Sequence, residues 1–122
     1  MEFKNLIKNF ESINLKDGEV VYSQGEKSGD GYLIHFGNIQ LKHDEHMPDK
    51  YPVLGPGEIF GVWKILFEDE ERFFTATAIS NTGLIVVPEN FLEKELVKMD
   101  PFLIHCFKVW IPLREHFRDP IT

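Results

Sequence analysis

The apolar residues of this chain arrive in short runs, each closed off by Gly, Pro, Asp or Asn: Val20-Val21-Tyr22, Tyr32-Leu33-Ile34, Ile39-x-Leu41, Val53-Leu54 and Leu84-Ile85-Val86-Val87. Runs of this length between turn residues are the pattern of a sandwich or barrel of short strands. Residues 73–79 alternate, with Phe73, Thr75, Thr77 and Ile79 on one face and Phe74, Ala76 and Ala78 on the other. The mostly small face lets another element pack closely. With 122 residues, 43% of them hydrophobic, residues 1–122 are expected to form one domain around a single core.

Helices are expected on both sides of these strands. Phe3, Leu6, Ile7 and Phe10 recur at helical spacing, which predicts an amphipathic helix at the N-terminus. Pro88 and Glu89 suit the first turn of a second helix, through a preset φ and a favourable charge at the positive end of the dipole, and Phe91, Leu92 and Leu96 carry it to about Met99. Asp100-Pro101 reads as a restart. Beyond it Phe102, Leu103, Cys106, Phe107, Trp110, Leu113 and Phe117 form an apolar stripe that Pro112 kinks or breaks.

Thirteen basic against twenty acidic residues leave a net charge of −7, which repels polyanions and argues against nucleic acid as a partner. No apolar run approaches a membrane span, and Glu2, Lys4 and Lys8 stand where a signal peptide needs an apolar stretch, so a cytoplasmic location and no membrane partner are expected. Cys106 is the only cysteine; it forms no internal disulfide, and its place on the stripe predicts an inert buried thiol.

The order of glycines and apolar strands resembles that of cyclic nucleotide-binding domains over nearly the whole chain. Leu15 to Lys27, with the Gly18 turn and the Gln24-Gly25-Glu26 corner, is similar to the family's first strand pair, and Tyr32 to Leu41 to its next hairpin, with Gly37 at the turn. Leu54-Gly55-Pro56-Gly57-Glu58-Ile59-Phe60-Gly61 leads into Val62-Trp63-Lys64-Ile65-Leu66 and then Arg72-Phe73-Phe74-Thr75-Ala76-Thr77-Ala78, which resembles the family's phosphate-binding cassette. The resemblance implies a mainly β fold: an antiparallel β-roll, or jelly roll, with an N-terminal helix and two C-terminal helices, turns at Gly25, Gly37 and Gly57, and a short helix beginning near Gly61. It implies a cyclic nucleotide, cAMP or cGMP, as ligand, met by Gly61, Val62, Trp63, Arg72, Phe73, Phe74 and Thr75. No other cofactor is implied.

Three departures from the family pattern bear on that ligand. Val62 stands where the family has a Glu that takes the ribose hydroxyl; losing such an acceptor removes about 1.5–3 kcal/mol, or roughly ten- to a hundredfold in affinity, so Val62→Glu is expected to tighten binding. Phe73 and Phe74 are bulkier than the residues usual after the cassette Arg, and Phe74 either fills part of the pocket or packs in the core. The chain also ends soon after Pro112, where ligand-responsive members carry a long helix over the base. Arg72 itself has two readings: phosphate partner, or partner of Glu58 or of the adjacent acids Glu68, Asp69, Glu70 and Glu71.

Elsewhere, His43-Asp44-Glu45-His46 reads as a solvated hairpin loop in preference to a metal site, and His35 as a half-buried polar contact on a strand. No nucleophile–base pair or carboxylate dyad stands out, and an enzyme is not expected. The chain therefore reads as a stand-alone, non-enzymatic regulatory module, a divergent member of the family whose sensing of a cyclic nucleotide (cAMP or cGMP) through Arg72 is expected to be weak. The alternative is a degenerate domain whose C-terminal helices bind a protein or a second copy of the chain, through Trp110, Ile111 and Phe117.

Overall fold

The alternating short runs fold into two four-stranded sheets in this computed structural model, which describes residues 8–44, 52–62 and 70–106. The strands are β1 (Ser12–Leu15), β2 (Val20–Tyr22), β3 (Gly31–Phe36), β4 (Ile39–Lys42), β5 (Val53–Leu54), β6 (Ile59–Phe60), β7 (Thr75–Ala78) and β8 (Thr82–Val87). One sheet runs β1-β8-β3-β6 and the other β2-β7-β4-β5. Every pairing between these strands is antiparallel, as an antiparallel β-roll requires. Gly25, Gly37 and Gly57 all sit at corners with positive φ (89°, 88° and 88°).

The core lies between the sheets. Tyr22, Ile34, Ile39, Leu41, Leu54, Phe60, Phe74, Ala76, Ala78 and Leu84 form it, and the small face of β7 is the inward one, Ala76 and Ala78 being fully buried. Methyl side chains there let the facing sheet approach closely, while Thr75 and Thr77 point the other way. The outer face of the first sheet carries a second cluster, Leu33, Ile85 and Val87, covered by Phe10, Phe91 and Leu92. Phe91 and Leu92 belong to α1 (Glu89–Lys98), which opens at Pro88 as expected. A helical turn resumes over residues 101–106, where Asp100 caps it by accepting from the Phe102 amide at 2.8 Å.

Several sequence expectations are corrected. His43 is buried, not solvated, because it continues the inward alternation of β4 after Ile39 and Leu41. His35 is exposed instead of half-buried; the register of β3 against β8 shifts between Ile34 and Phe36, which turns it outward beside the Phe36 ring. Cys106 is half-buried, and Phe102 and Leu103, expected in a core-facing stripe, are 69% and 46% exposed, since nothing among the described residues covers that side of the segment. Strand β1 begins at Ser12, ahead of the Leu15 at which the expected first strand pair starts, its Ile13 and Leu15 alternating with polar neighbours. The N-terminal helix, the short helix after Gly61, the acids at 68 and 69, and Trp110, Ile111, Pro112 and Phe117 fall outside the described residues. Among those described, no helix is long and apolar enough to cross a membrane.

Candidate functional site

The segment that carries Arg72 is held as an antiparallel ribbon against the corner after β2. The Ser28 amide donates to the Glu70 carbonyl (2.9 Å), the Arg72 amide to the Glu26 carbonyl (2.6 Å) and the Gly25 amide to the Arg72 carbonyl (2.8 Å). The corner residue Gln24 adds a bond from its amide to the Thr75 hydroxyl at 2.9 Å, so that hydroxyl has a structural task. These bonds place Arg72 just before β7, on the inward face.

Its side chain is 8% exposed and reaches toward the cassette. Nη1 donates to the Gly61 carbonyl and Nη2 to the Asp30 carbonyl, each at 2.8 Å. The guanidinium carbon lies 4.1 Å from the centroid of the Tyr22 ring, a cation–π contact in a dry setting. Tyr22, Tyr32 and Phe60 form the aromatic wall behind it, with ring centroids between 5.4 and 6.1 Å apart. Burial pushes the Tyr32 hydroxyl above its ordinary pKa of 10.0, the Arg72 charge acting in the opposite direction.

Two features of this arrangement are unusual for a buried arginine. Among the described residues no carboxylate pairs with it, and its Nε has no hydrogen-bond partner. Taking a cation out of water without a counter-ion is costly, and main-chain carbonyl dipoles offset only part of that cost. The reading in which Glu58, Glu70 or Glu71 neutralises Arg72 is therefore not the arrangement seen.

Gly61 makes the approach of Arg72 to the main chain feasible. Its φ is +80°, and a Cβ there would sit 3.0 Å from Nη1 and 3.3 Å from the Asp30 carbonyl oxygen. Asp30 in turn joins this site to α1: its carbonyl takes Nη2, and its carboxylate Oδ1 accepts the Glu89 amide at 2.9 Å, at the helix N-terminus.

A cavity of about 420 Å³ opens beside Arg72, lined by Gln24, Gly25, His43, Glu70, Glu71 and Phe73 as well. That volume suits a small organic ligand. His43 is 6% exposed, and its ring lies 4.3 Å from that of Phe73 at an angle of 34°. Phe73 also meets Phe74 edge-on at 4.7 Å.

Of the residues expected at the site, Arg72 and Phe73 line this cavity and Gly61 bonds to Arg72. Phe74 is 1% exposed inside the core cluster, and Thr75 bonds to Gln24. Val62 is half-buried and leans on the start of β3: a Cβ on Gly31 would be 2.9 Å from Val62 Cγ1 and 3.1 Å from Leu92 Cδ1 of α1. Trp63 falls outside the described residues. Reasoning from sequence missed Tyr22, Asp30 and His43. Only the alternation Ile39, Leu41, His43 could have pointed to the last.

A family model described as the cyclic nucleotide-binding domain matches residues 12–98. Among solved structures, the chain is similar to the EAL enzyme Bd1971 in its cAMP- and cyclic-di-GMP-bound form, at 17% identity and a TM-score of 0.75, over 88% of this chain and 29% of that one. It resembles the catabolite activator protein of Thermus thermophilus at 20% identity and a TM-score of 0.66, over 94% of this chain and 53% of that one. A structure described under a cyclic-GMP-dependent signalling pathway in bacterial phytopathogenesis is similar at 21% identity and a TM-score of 0.68, over 99% of this chain and 98% of that one. The chain thus spans under a third of Bd1971 and about half of the activator protein. At these identities the likeness establishes the fold. No curated protein sequence matches the chain.

Proposed function

The chain belongs to the cyclic nucleotide-binding domain family, and on that premise we propose that it is a non-enzymatic regulatory module that holds a cyclic mononucleotide by pairing its phosphate with Arg72. The observation that carries this reading is the buried guanidinium that has no carboxylate partner among the described residues and an Nε without an acceptor. A phosphodiester in the adjoining cavity supplies the missing counter-charge, and a planar donor group matches its oxygens. Support also comes from one neighbour in fold, the EAL enzyme Bd1971, whose structures include a form with cAMP and cyclic-di-GMP bound and a form with cGMP bound. Exposed Glu70 and Glu71 at the rim oppose an anion only weakly, because solvent and salt screen them.

Calorimetric titration with cAMP, cGMP and cyclic-di-GMP tests the reading. Wild-type protein is expected to bind a cyclic mononucleotide, and Arg72→Gln to bind it at least tenfold more weakly, since a hydrogen bond to a charged group is worth about 1.5–3 kcal/mol. Equal binding by a folded Arg72→Gln would overturn it.

A second reading, an interaction module, is favoured by one observation. Val97, Phe102 and Leu103 are 85%, 69% and 46% exposed at the end of α1 and just beyond it, and clustered exposed apolar side chains mark partner surfaces. If no cyclic nucleotide binds, this reading takes precedence.

A further inference from the structure

We propose that Glu26 is a positioning residue for Arg72: its carboxylate locks the corner after β2, and that corner grips the Arg72 main chain as a two-bond clamp. This rests on the reading of Arg72 as the anion's partner. The fold repeats the device at three corners. Gly18-Glu19, Gly25-Glu26 and Gly57-Glu58 each end a four-residue turn, with the glycine at positive φ (93°, 89° and 88°). In each turn the Glu amide donates to the carbonyl of the first residue, at 3.0 Å to Lys16, 3.1 Å to Ser23 and 3.1 Å to Gly55. The same Glu folds its carboxylate back to accept that residue's amide, from Lys16 at 2.6 Å, from Ser23, and from Gly55 at 2.8 Å. Both main-chain groups of the first residue are thereby tied to the Glu.

Each locked corner then holds one residue opposite it by two hydrogen bonds. The Gly18 amide donates to the Ala78 carbonyl at 2.7 Å, and the Ala78 amide donates to the Glu19 carbonyl at 2.9 Å. The Gly57 amide donates to the Ile34 carbonyl at 2.8 Å, and the Ile34 amide donates to the Glu58 carbonyl at 3.0 Å. Ala78 and Ile34 are buried members of the core cluster. The Gly25-Glu26 corner makes the same pair of bonds to Arg72. Two clamps therefore seat a core side chain, and the third seats the cation.

Main-chain position matters more for the arginine than for the other two. Its guanidinium meets Gly61, Asp30 and Tyr22 together, so a shift of the backbone moves the charge off all three. Glu26 is itself exposed and acts through the turn. Its own charge opposes an anion, so the benefit it brings is geometric: a preset main chain leaves less ordering to be done when a ligand arrives.

The Gly18-Glu19 corner is the matched control, with the same turn, the same bonds and the same charge, but clamping Ala78. Glu26→Ala and Glu19→Ala are each expected to lower the melting temperature. Only Glu26→Ala is expected to speed hydrogen exchange at the Gly25 and Arg72 amides and to weaken cAMP binding in calorimetry, by about five- to tenfold. Removing an acid by itself favours an anion, so that loss reports position and not charge. Glu26→Gln, which keeps an acceptor oxygen and drops the charge, is expected to retain binding. Equal weakening by both alanine variants would make Glu26 a general stabiliser and overturn the proposal. If Glu26→Ala binds like wild type while Arg72→Gln does not bind, the positioning role is wrong and the proposed function stands. No cAMP binding by wild type would remove both. Should Glu26→Ala not fold, Gly25→Ala and Gly18→Ala form a second matched pair, since an added Cβ strains each turn through its positive φ but meets no atom within 4 Å. The same contrast in cAMP affinity is expected of them, and its absence would overturn the proposal.

Discussion

The guanidinium of Arg72 stands 4.1 Å over the ring of Tyr22, so the cation of this site is held by an aromatic face where a carboxylate would be expected. Aromatic support leaves the positive charge in place, whereas a buried Glu would cancel it. Removing the ring therefore has a defined consequence. Tyr22→Leu is expected to lower stability by about 1–3 kcal/mol through lost packing and cation–π contact, and to weaken cAMP binding; Tyr22→Phe, which keeps the ring, is expected to retain binding. Thermal melts beside calorimetry on both variants check this.

Gly61→Ala places a side chain at φ +80° and a Cβ 3.0 Å from Arg72 Nη1. The strained backbone costs about 1–2 kcal/mol, and the guanidinium has to shift. The expected outcome is a lower melting temperature together with loss of anion binding. Unchanged binding would show that the Gly61 contact does not set the position of Arg72.

Asp30→Ala removes the acceptor of the Glu89 amide at the start of α1 but keeps the main-chain carbonyl that takes Arg72 Nη2. Loss of a helix-terminal acceptor costs about 0.5–2 kcal/mol. Denaturant unfolding should show that loss, with faster amide exchange confined to the first turn of α1. Nucleotide affinity is expected to change much less than in Arg72→Gln.

Phe102 is 69% exposed, and Phe102→Ser is expected to leave stability within about 0.5 kcal/mol of wild type. Light scattering on the same variant reports association. A folded variant that is less associated than wild type would favour the interaction reading.

Tyr32 titrates above its ordinary value because burial disfavours the phenolate, with the Arg72 charge only partly compensating. Its folded-state pKa is raised, so the stability it contributes is fully present below pH 10.0 and is lost as pH rises through the higher folded value. Alkaline unfolding followed by circular dichroism should therefore be less steep for Tyr32→Phe, and an identical alkaline profile would count against this assignment.

Much of the strand framework could be read directly, because two-residue alternation and glycine at tight corners are local properties. Gly37 illustrates this: φ is +88°, and a Cβ there would collide with the Asn81 carbonyl and Thr82. The same holds for α1, whose opening at Pro88 and apolar spacing lie within a few residues of each other. By itself the sequence also determined that an arginine follows the cassette, and that valine stands at 62.

What those residues touch was decided only by the tertiary structure. Arg72 meets Tyr22, Asp30 and Gly61 across chain separations that no local pattern encodes, and the acids nearest in sequence are not its partners among the described residues. Val62 leans toward Gly31 and α1, and His43 turns inward beside Phe73, because sheet register and strand curvature set side-chain direction. Burial and charge compensation depend on every neighbour in space, so the unpaired state of the Arg72 guanidinium among these residues became visible only when the two sheets closed around it.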